Sequence, residues 1–307
     1  MKVFYHKTVG GNVGDDMNAV IWHRIVPELD RIDCADWLVG AGTILDKRIN
    51  ELPGRKVIMG TGFRPGRTIS ADEDIHFAAV RGFLTAEHCG LSRDVAVCDP
   101  GFAVGRLWPT TRQPSQRVAF VPHVYSEQYS QICAAAADAG FEVISPTLSL
   151  EEFLDRLAGC ARAYCESLHG AIFADALRRP WARVRVCSSH YEGTGVADFK
   201  WTDTFSVFGQ PSTCVNRTVL LPVKRSWPLM QSGLRPLQAW REKRLINELR
   251  QRSDDASAFR LTDVGRLEER ADELIARVRR LRDSDAGNMW QMISATQLAA
   301  TSAGATR

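Results

Sequence analysis

One stretch, Tyr164–Trp181, combines residue types that could bind an anion. Its centre, Ser167-Leu168-His169-Gly170, follows a short apolar run and precedes a helix-forming segment that ends at Pro180. A strand, a turn and a helix in this order leave backbone N–H groups without partners at the helix N-terminus, where they suit phosphate or carboxylate. We expect the N–H groups of residues 170–172 to bind such an anion, with His169 as a further donor. Capping of the helix is the alternative role of His169.

A second candidate site lies near the N-terminus. Gly10-Gly11-Asn12-Val13-Gly14-Asp15-Asp16 separates a first strand from a helix predicted over 17–26. Glycines at such a junction let the backbone approach a ligand closely, although the pattern is neither a dinucleotide fingerprint nor a P-loop. Asn12, Asp15 and Asp16 could hydrogen-bond sugar hydroxyls, and Asp16 is also a candidate acid or base. Helix capping is the alternative role of the acidic pair.

Four further candidates follow short apolar runs: Gly42, Gly62, Arg81 and Asp99. Together with the first strand they give five apolar runs, of which Val95–Cys98 is the fifth. The runs alternate with helical segments and predict a parallel sheet with helices on both faces. Ligands collect beyond the carboxyl ends of such strands. We therefore expect the four residues to border one cleft, although Arg81 could instead form an ordinary surface ion pair.

A polar segment with two prolines, residues 108–114, predicts a domain boundary. After it the alternation restarts with a strand over 117–121 that leads to His123. Helices at 127–140 and 151–159 and strands at 141–145, 161–164 and 182–187 follow. The sequence thus predicts two Rossmann-like α/β domains, 1–108 and 109–223, that face a cleft.

Lys200 is a further candidate because it lies between Phe199 and Trp201, with Asp203 three residues later. A lysine in this setting could be a shielded cation for an anionic ligand. It could equally lie along an aromatic ring at the surface.

Composition limits the class of protein. The chain has 307 residues, of which 45% are hydrophobic and 24% charged, as in soluble globular proteins. No apolar run is long enough to span a membrane, and the N-terminus does not resemble a signal peptide. The eight cysteines form no C-x-x-C pair and no metal-ligand cluster is visible. We expect a cytoplasmic protein with reduced thiols, no metal and no cofactor.

The C-terminal segment differs in charge, since residues 224–282 carry 15 Lys and Arg against 9 Asp and Glu. Two helices are predicted, one over 236–251 with Leu237, Trp240, Leu245 and Leu249 on one face. In the other, Val264, Leu267, Ala271, Leu274, Val278 and Leu281 form a heptad seam over 264–281. We expect a hairpin that packs on itself or on a second subunit of a homo-oligomer. The alternative is a basic surface on an anionic membrane.

The parts of the chain before and after this basic segment differ from it in composition. Residues 1–223 are nearly neutral, with 23 basic and 25 acidic residues, which argues against nucleic-acid binding. Residues 283–307 are rich in Ala, Thr and Ser, and we expect them to be disordered.

The order of these motifs resembles the polysaccharide pyruvyl transferase family, in particular the bacterial enzymes that place a pyruvate ketal on exopolysaccharide repeat units. The resemblance covers residues 9–205, including Phe199-Lys200-Trp201 with Asp203. It rests on Gly-Asn-x-Gly-Asp, Gly-x-Gly, Val-Arg-Gly, Asp-Pro-Gly, Val-Pro-His and Ser-Leu-His-Gly.

The resemblance implies a fold similar to the two-domain GT-B glycosyltransferases, with the acceptor on the first domain and the donor on the second. It implies phosphoenolpyruvate as the donor, held by Arg81 and His169, with Ser167, Leu168 and Gly170 beside it. Some members carry arginine where this chain has Ser167, and Lys200 is the candidate to supply that charge.

Ketal formation requires a general acid and stabilisation of positive charge. His169, Asp99, His123 and Asp16 are the candidates, without an assignment of acid and base. The implied acceptor is a lipid-linked oligosaccharide at the cytoplasmic face of the inner membrane. A glycosyltransferase with a sugar nucleotide donor and a non-catalytic saccharide-binding protein are the alternatives.

Overall fold

The computed structural model describes residues 1–70, 72–110, 112–221 and 228–283. It contains two four-stranded parallel sheets, which confirms the predicted α/β class. The first has the order β1-β2-β3-β4, with strands at Lys2–Phe4, Trp37–Val39, Lys56–Thr61 and Ile75–Val80. The second has the order β6-β5-β7-β8, where β5 to β8 are Val118–Val121, Glu142–Val143, Arg162–Cys165 and Trp181–Arg183.

Helices connect the strands. The described α-helices are α1 Val13–Asp16, α2 Ile21–Ile25, α3 Lys47–Asn50, α4 Phe83–His88, α5 Val104–Leu107, α6 Val124–Tyr129, α7 Ile132–Asp138, α8 Leu150–Ala158, α9 Leu168–Ala176, α10 Ser188–Glu192, α11 Thr194–Ser206, α12 Pro228–Arg252 and α13 Val264–Asp283. All six residues of β3 are buried, as expected for a parallel strand covered on both faces.

The predicted fifth strand, Val95–Cys98, is wrong. Only Ala96 pairs with the sheet, through a single bridge to Val80. Tight turns at Arg93–Val95 and Pro100–Ala103 enclose the segment and leave too few extended residues for a ladder. The segment still brings Asp99 to the carboxyl end of the sheet, because Val97 N donates to the carbonyl of Val80.

Two long predicted helices are interrupted. The helix predicted over 17–26 is reduced to α2, because its first residues, Met17–Ala19, form a tight turn. In this turn Asn18 Oδ1 accepts from Ala41 N at 2.8 Å and so holds the loop after β2. The helix predicted over 127–140 is divided at Ser130, whose backbone is extended.

The predicted C-terminal hairpin is also wrong. Leu245 and Leu249 of α12 are buried in the core of the second sheet, and the hydroxyl of Tyr164 donates to the carbonyl of Leu249 at 2.8 Å. In contrast, α13 packs on the first sheet, where Arg277 donates to the carbonyl of Ala78 at 2.7 Å. The two helices therefore cover different sheets because each has its own apolar face.

The heptad seam is internal to the chain. Leu267, Leu274 and Val278 are buried in the main core, whereas Val264 is exposed. The buried seam residues therefore cannot contact a second subunit, which corrects the expected homo-oligomer contact through 264–281. The predicted single face of α12 divides as well, since Leu237 and Trp240 are exposed. The predicted tail, 283–307, lies outside the described residues apart from Asp283.

One hydrophobic cluster spans the two predicted domains. It includes buried side chains of both sheets and continues through α9, α11 and α13, while the other face of the second sheet packs with α12 in a separate cluster. Helix α9 lies against the turn Pro100–Ala103, so closely that a Cβ at Gly101 would stand 2.8 Å from Ile172. This packing fixes the N-terminus of α9 beside the carboxyl end of the first sheet.

We expect Leu274→Ala to lower the free energy of unfolding by about 2–5 kcal/mol, because it leaves a cavity at a fully buried position. Urea unfolding measures this change. Leu237→Ala on the exposed face of α12 is the matched control and should change stability by less than about 0.5 kcal/mol. If Leu274→Ala dissociated an oligomer and left the stability of the subunit unchanged, the seam would be an intersubunit contact after all.

Candidate active site

A cavity of about 480 Å³ lies where loops from the two sheets meet. The predicted residues that line it are Asn12, Asp15, Gly42, Arg81, His123, Ser167, Leu168, His169 and Lys200. The predicted residues outside the lining are Asp16, Gly62, Asp99 and Gly170. The structure therefore brings most of the candidates from both sheets to one place.

Arg81 follows β4 and is held rigidly in the cavity wall. Its side chain is 1% exposed, with Nε 2.9 Å from Asp203 Oδ2 and Nη1 2.9 Å from Thr43 Oγ1. Gly62 lies directly behind the guanidinium, since a Cβ there would stand 2.1 Å from the Arg81 Cζ. Gly62 thus makes room for the arginine. Nη2 is buried on the side of Gly62 and has no hydrogen-bond partner among the described residues.

Asp203 explains why Arg81 can be buried with its charge. Its carboxylate also accepts from Thr85 N at 2.8 Å and from Thr85 Oγ1 at 2.7 Å. Since Asp203 belongs to α11, which follows the second sheet, this ion pair joins the two halves of the chain beside the cavity. A buried charge requires such a paired and hydrogen-bonded partner.

His169 lies in the first turn of α9 with its Nε2 buried, 3.5 Å from Asp99 Oδ1. Asp99 is itself fully buried and accepts from Gly101 N at 2.9 Å. Gly14 lies against the ring, because a Cβ there would stand 2.0 Å from Nδ1. Asp99 can therefore orient His169 from the side of Nε2 but does not line the cavity, whereas Nδ1 lies on the side of Gly14.

The N-terminus of α9 differs from the prediction. Ser167 caps the helix, so that its Oγ accepts from Gly170 N at 3.3 Å and its carbonyl accepts from Ala171 N at 3.3 Å. These N–H groups are therefore satisfied within the chain, and the predicted backbone cradle at residues 170–172 is wrong. Gly170 serves packing instead, since a Cβ there would stand 2.7 Å from Val121.

The two members of the acidic pair have different roles. Asp15 lines the cavity, and its Oδ2 accepts from Asn12 Nδ2 at 2.9 Å and from Thr8 Oγ1 at 3.2 Å. Burial raises the pKa of the Asp15 carboxyl, although the charges of His169 and His6 act in the opposite direction. This environment suits a carboxyl that holds a proton.

Asp16, in contrast, is exposed outside the cavity, and its Oδ2 accepts from the backbone N of Asn12 at 2.8 Å. Asp16 thus holds the turn before α1, where Asn12 caps the helix. Asp15 is the member of the pair that lines the cavity.

Lys200 and His123 meet at a residue that sequence reasoning missed. Lys200 Nζ lies 2.8 Å from Glu192 Oε1, and His123 Nε2 lies 3.4 Å from the same oxygen. Burial alone would raise the pKa of Glu192, but the charge of Lys200 and the contact with His123 outweigh it and bring the pKa well below its usual range. Since His123 Nδ1 also accepts from Tyr125 N, both ring nitrogens of His123 already have partners.

The neighbours of Lys200 explain its position. Trp201 is buried against Trp181 and Phe205, while Phe199 packs against Phe63. These aromatic contacts fix α11 on both sides and direct Lys200 into the cavity lining. The aromatics therefore anchor the helix, and the lysine does not lie along a surface ring.

Other residues of the site carried little signal in the sequence. Asp203 was visible as an acid after Lys200, but nothing linked it to Arg81, 122 positions earlier. Thr43 and Glu192 lie in ordinary loop and helix contexts. The cavity also contains Lys47, Arg64 and Arg67, which follow the ends of β2 and β3.

Two negative findings concern the described part of the chain. Within these ranges no helix has the length and apolar character needed to cross a bilayer. In the same ranges, no three His, Cys, Asp or Glu side chains converge closely enough to bind a metal ion.

Two parallel sheets, with a mainly cationic cavity at their carboxyl ends, define an α/β protein suited to an anionic ligand. The chain belongs to the polysaccharide pyruvyl transferase family, whose model matches residues 22–188. This confirms the resemblance of the motifs. Asn12 and Asp15 precede the matched region, and Glu192, Lys200 and Asp203 follow it.

One relative extends the comparison beyond these limits. The succinoglycan biosynthesis protein ExoV of Rhizobium meliloti (strain 1021) is 30% identical over 214 residues, which are 68% of this chain and 65% of that protein. The match thus spans just under two thirds of this relative's length. No solved structure matches the chain with statistical significance.

We expect Asp203→Asn to lower the free energy of unfolding by about 3–5 kcal/mol, because it leaves the buried charge of Arg81 without compensation. Denaturant unfolding gives the value. The matched control is Glu268→Gln, which breaks an exposed pair with Arg106 and should cost less than about 1 kcal/mol. Equal losses in both variants would mean that the Arg81–Asp203 pair contributes no more to stability than an exposed ion pair.

Asp15→Asn should stabilise the protein at neutral pH. Because the folded protein holds the Asp15 proton more tightly than the unfolded chain, wild-type stability falls as the pH rises from about 4 through the raised pKa. Asparagine has no such dependence. The melting temperature of the variant relative to wild type should therefore increase with pH and then level off. A relative melting temperature that falls over this range would contradict the pKa assigned to Asp15.

Proposed function

We propose that the protein transfers pyruvate from phosphoenolpyruvate to a sugar of an exopolysaccharide repeat unit, forming a pyruvate ketal and releasing phosphate. The observation that carries this proposal is the buried Arg81, which lines a cavity with His169 and Lys200 and whose Nη2 has no partner among the described residues. Membership of the family supports the reaction class, and the name of the relative supports exopolysaccharide biosynthesis.

The donor would bind through its carboxylate and its phosphate. A guanidinium is planar and suits a two-oxygen anion, so Arg81 is assigned to one of these groups. His169 and Lys200 are assigned to the other. Lys200 is already paired with Glu192, so it supplies the charge absent at Ser167 only in part. Ser167 is occupied as the cap of α9.

Asp15 is assigned as the general acid. Burial raises the pKa of its carboxyl, which favours the protonated form that the first step requires. The proton passes to the methylene carbon of phosphoenolpyruvate and creates positive charge at C2. The carboxylate that remains on Asp15 then stabilises this charge.

His169 is assigned to the hydroxyl groups of the acceptor. The first hydroxyl adds to C2, the C–O bond to phosphate breaks, and the second hydroxyl adds to close the ketal. Over the whole reaction, the proton of one acceptor hydroxyl restores the proton that Asp15 gave to the methylene carbon. The proton of the other hydroxyl leaves with phosphate. Nδ1 of His169 can accept such a proton, while Asp99 orients the ring from the side of Nε2. His123 has partners at both nitrogens and is assigned a supporting role.

Further parts of the proposal concern the fold and the acceptor. Two parallel sheets that meet at a cavity are compatible with the GT-B-like arrangement, in which the first sheet binds the acceptor and the second the donor. Arg81 qualifies this division, because it comes from the first sheet. The acceptor is proposed to be a lipid-linked oligosaccharide. No observation favours the sugar-nucleotide or the non-catalytic alternative.

Contact with the inner membrane surface, and with it a cytoplasmic location, also belongs to the proposal. Leu237 and Trp240 are exposed on α12, and the guanidinium of Arg244 lies over the Trp240 ring. Exposed aromatics beside basic residues suit the interface of an anionic bilayer.

The test uses phosphoenolpyruvate with p-nitrophenyl glucoside or galactoside, whose neighbouring hydroxyls offer the required diol. Phosphate release and the mass of the ketal product are measured together. Asp15→Asn should lower kcat/KM about 10²–10⁴-fold, because the proton donor is lost. Asp16→Asn is the matched control and should remain within about twofold, since it lies outside the cavity.

Three outcomes would contradict the proposed reaction, its donor or the role of Asp15. Phosphate release that requires a saccharide but leaves no ketal would exclude pyruvyl transfer. Turnover of a sugar nucleotide in place of phosphoenolpyruvate would favour the glycosyltransferase. Equal loss in both variants would remove Asp15 from the role of acid.

A further inference from the structure

The loop after β3 places two arginines at the cavity in a fixed geometry. Arg64-Pro65-Gly66-Arg67 is a tight turn in which Arg67 N donates to the carbonyl of Arg64 at 3.1 Å. Pro65 restricts its own φ angle, and Gly66 has a φ of +78°, the left-handed conformation that this turn position requires. The turn is therefore preorganised, and both of its end residues line the cavity.

A second basic segment lies beside this turn. Leu45 pairs with Phe63 through a parallel bridge, which brings the start of α3 next to the loop after β3. Lys47 at that start also lines the cavity. The adjacent Arg48 is occupied, because its Nε and Nη2 bind the two oxygens of Asp46 at 2.7 and 2.8 Å.

The remaining three cations share one nearby carboxylate, Asp46, which lines the same part of the cavity and whose pKa the charge of Arg67 helps to lower. Lys47, Arg64 and Arg67 form no hydrogen bond or ion pair with another side chain in the part of the chain that the structure describes. Lys47 and Arg67 are exposed and Arg64 is half-buried, which places them at the mouth of the cavity. Arg81, His169 and Lys200 are the more deeply buried set. The cavity thus has an inner and an outer cationic group.

We propose that Lys47, Arg64 and Arg67 form a second anion subsite, which binds an anionic group carried by the acceptor. This inference rests on the proposed function, in which the inner group binds the donor. One guanidinium group can donate two parallel hydrogen bonds to two oxygens of the same phosphate or carboxylate. The anion is either a diphosphate that joins the saccharide to its carrier or a carboxylate on the saccharide itself.

Size supports a second ligand. The cavity has a volume of about 480 Å³, which is in the range that holds drug-sized molecules. This volume exceeds that of a three-carbon phosphate. Cations at the mouth also suit a ligand that continues out of the cavity, as a saccharide acceptor must. The subsite would therefore fix the orientation of the acceptor and its reacting hydroxyls.

The test is calorimetry on the full chain, first with phosphoenolpyruvate and then with a probe added to the donor-saturated protein. Inorganic pyrophosphate represents the diphosphate and glucuronate represents a sugar carboxylate. We expect one of the two probes to bind alongside the donor. The double variant Arg64→Gln/Arg67→Gln should weaken that probe about tenfold or more, which is about 1.4 kcal/mol, and leave donor affinity within about twofold.

Arg31→Gln is the matched control, since Arg31 is exposed and does not line the cavity. It should leave both affinities unchanged, and equal melting temperatures of all variants show that they are folded. Binding of neither probe, or unchanged probe binding in the double variant, would overturn the subsite. So would an equal loss of donor and probe, which would assign the arginines to the donor. A wild-type protein that fails to bind phosphoenolpyruvate would instead contradict the proposed function.

Discussion

The buried ion pair between Arg81 and Asp203 is the contact on which the site depends. Arg81 comes from the end of β4 in the first sheet, and Asp203 comes from α11 after the second. Neither charge could remain in this core alone, because removal from water costs several kcal/mol for each ion. Their pairing therefore fixes α11 on the first sheet. The same helix carries Lys200, so one contact sets the positions of two cations in the cavity.

The contact between α9 and the first sheet has a similar effect on the histidine. Helix α9, which follows the second sheet, packs against the turn after Asp99. This packing brings His169 to the carboxylate of Asp99 at the end of the first sheet. Gly14 and Gly101 permit the approach, because a Cβ at either position would collide with a neighbour. The cavity is thus a product of the shared core, and its chemistry cannot be assigned to either sheet alone.

The sequence predicted the α/β class, the parallel sheets and nine of the residues that line the cavity. These features depend on local patterns, namely apolar runs that end in glycine or in a polar residue at the carboxyl edge of a sheet. Features that depend on distant contacts were not predictable. Arg81 and Asp203 lie 122 positions apart. The heptad spacing of α13 predicts an apolar face but not the part of the protein that packs against this face. The choice between Asp15 and Asp16 also depended on the direction of the turn before α1.

The central claim is that Arg81, which lines the cavity and whose Nη2 has no partner among the described residues, binds the donor. Calorimetric titration of the full chain with phosphoenolpyruvate, beside Arg81→Lys, tests it most directly. Lysine keeps the charge but cannot reproduce the planar fork. The account predicts binding by the wild-type protein that weakens about tenfold or more in the variant. Equal affinity of both proteins, or no binding by the wild type, would contradict it.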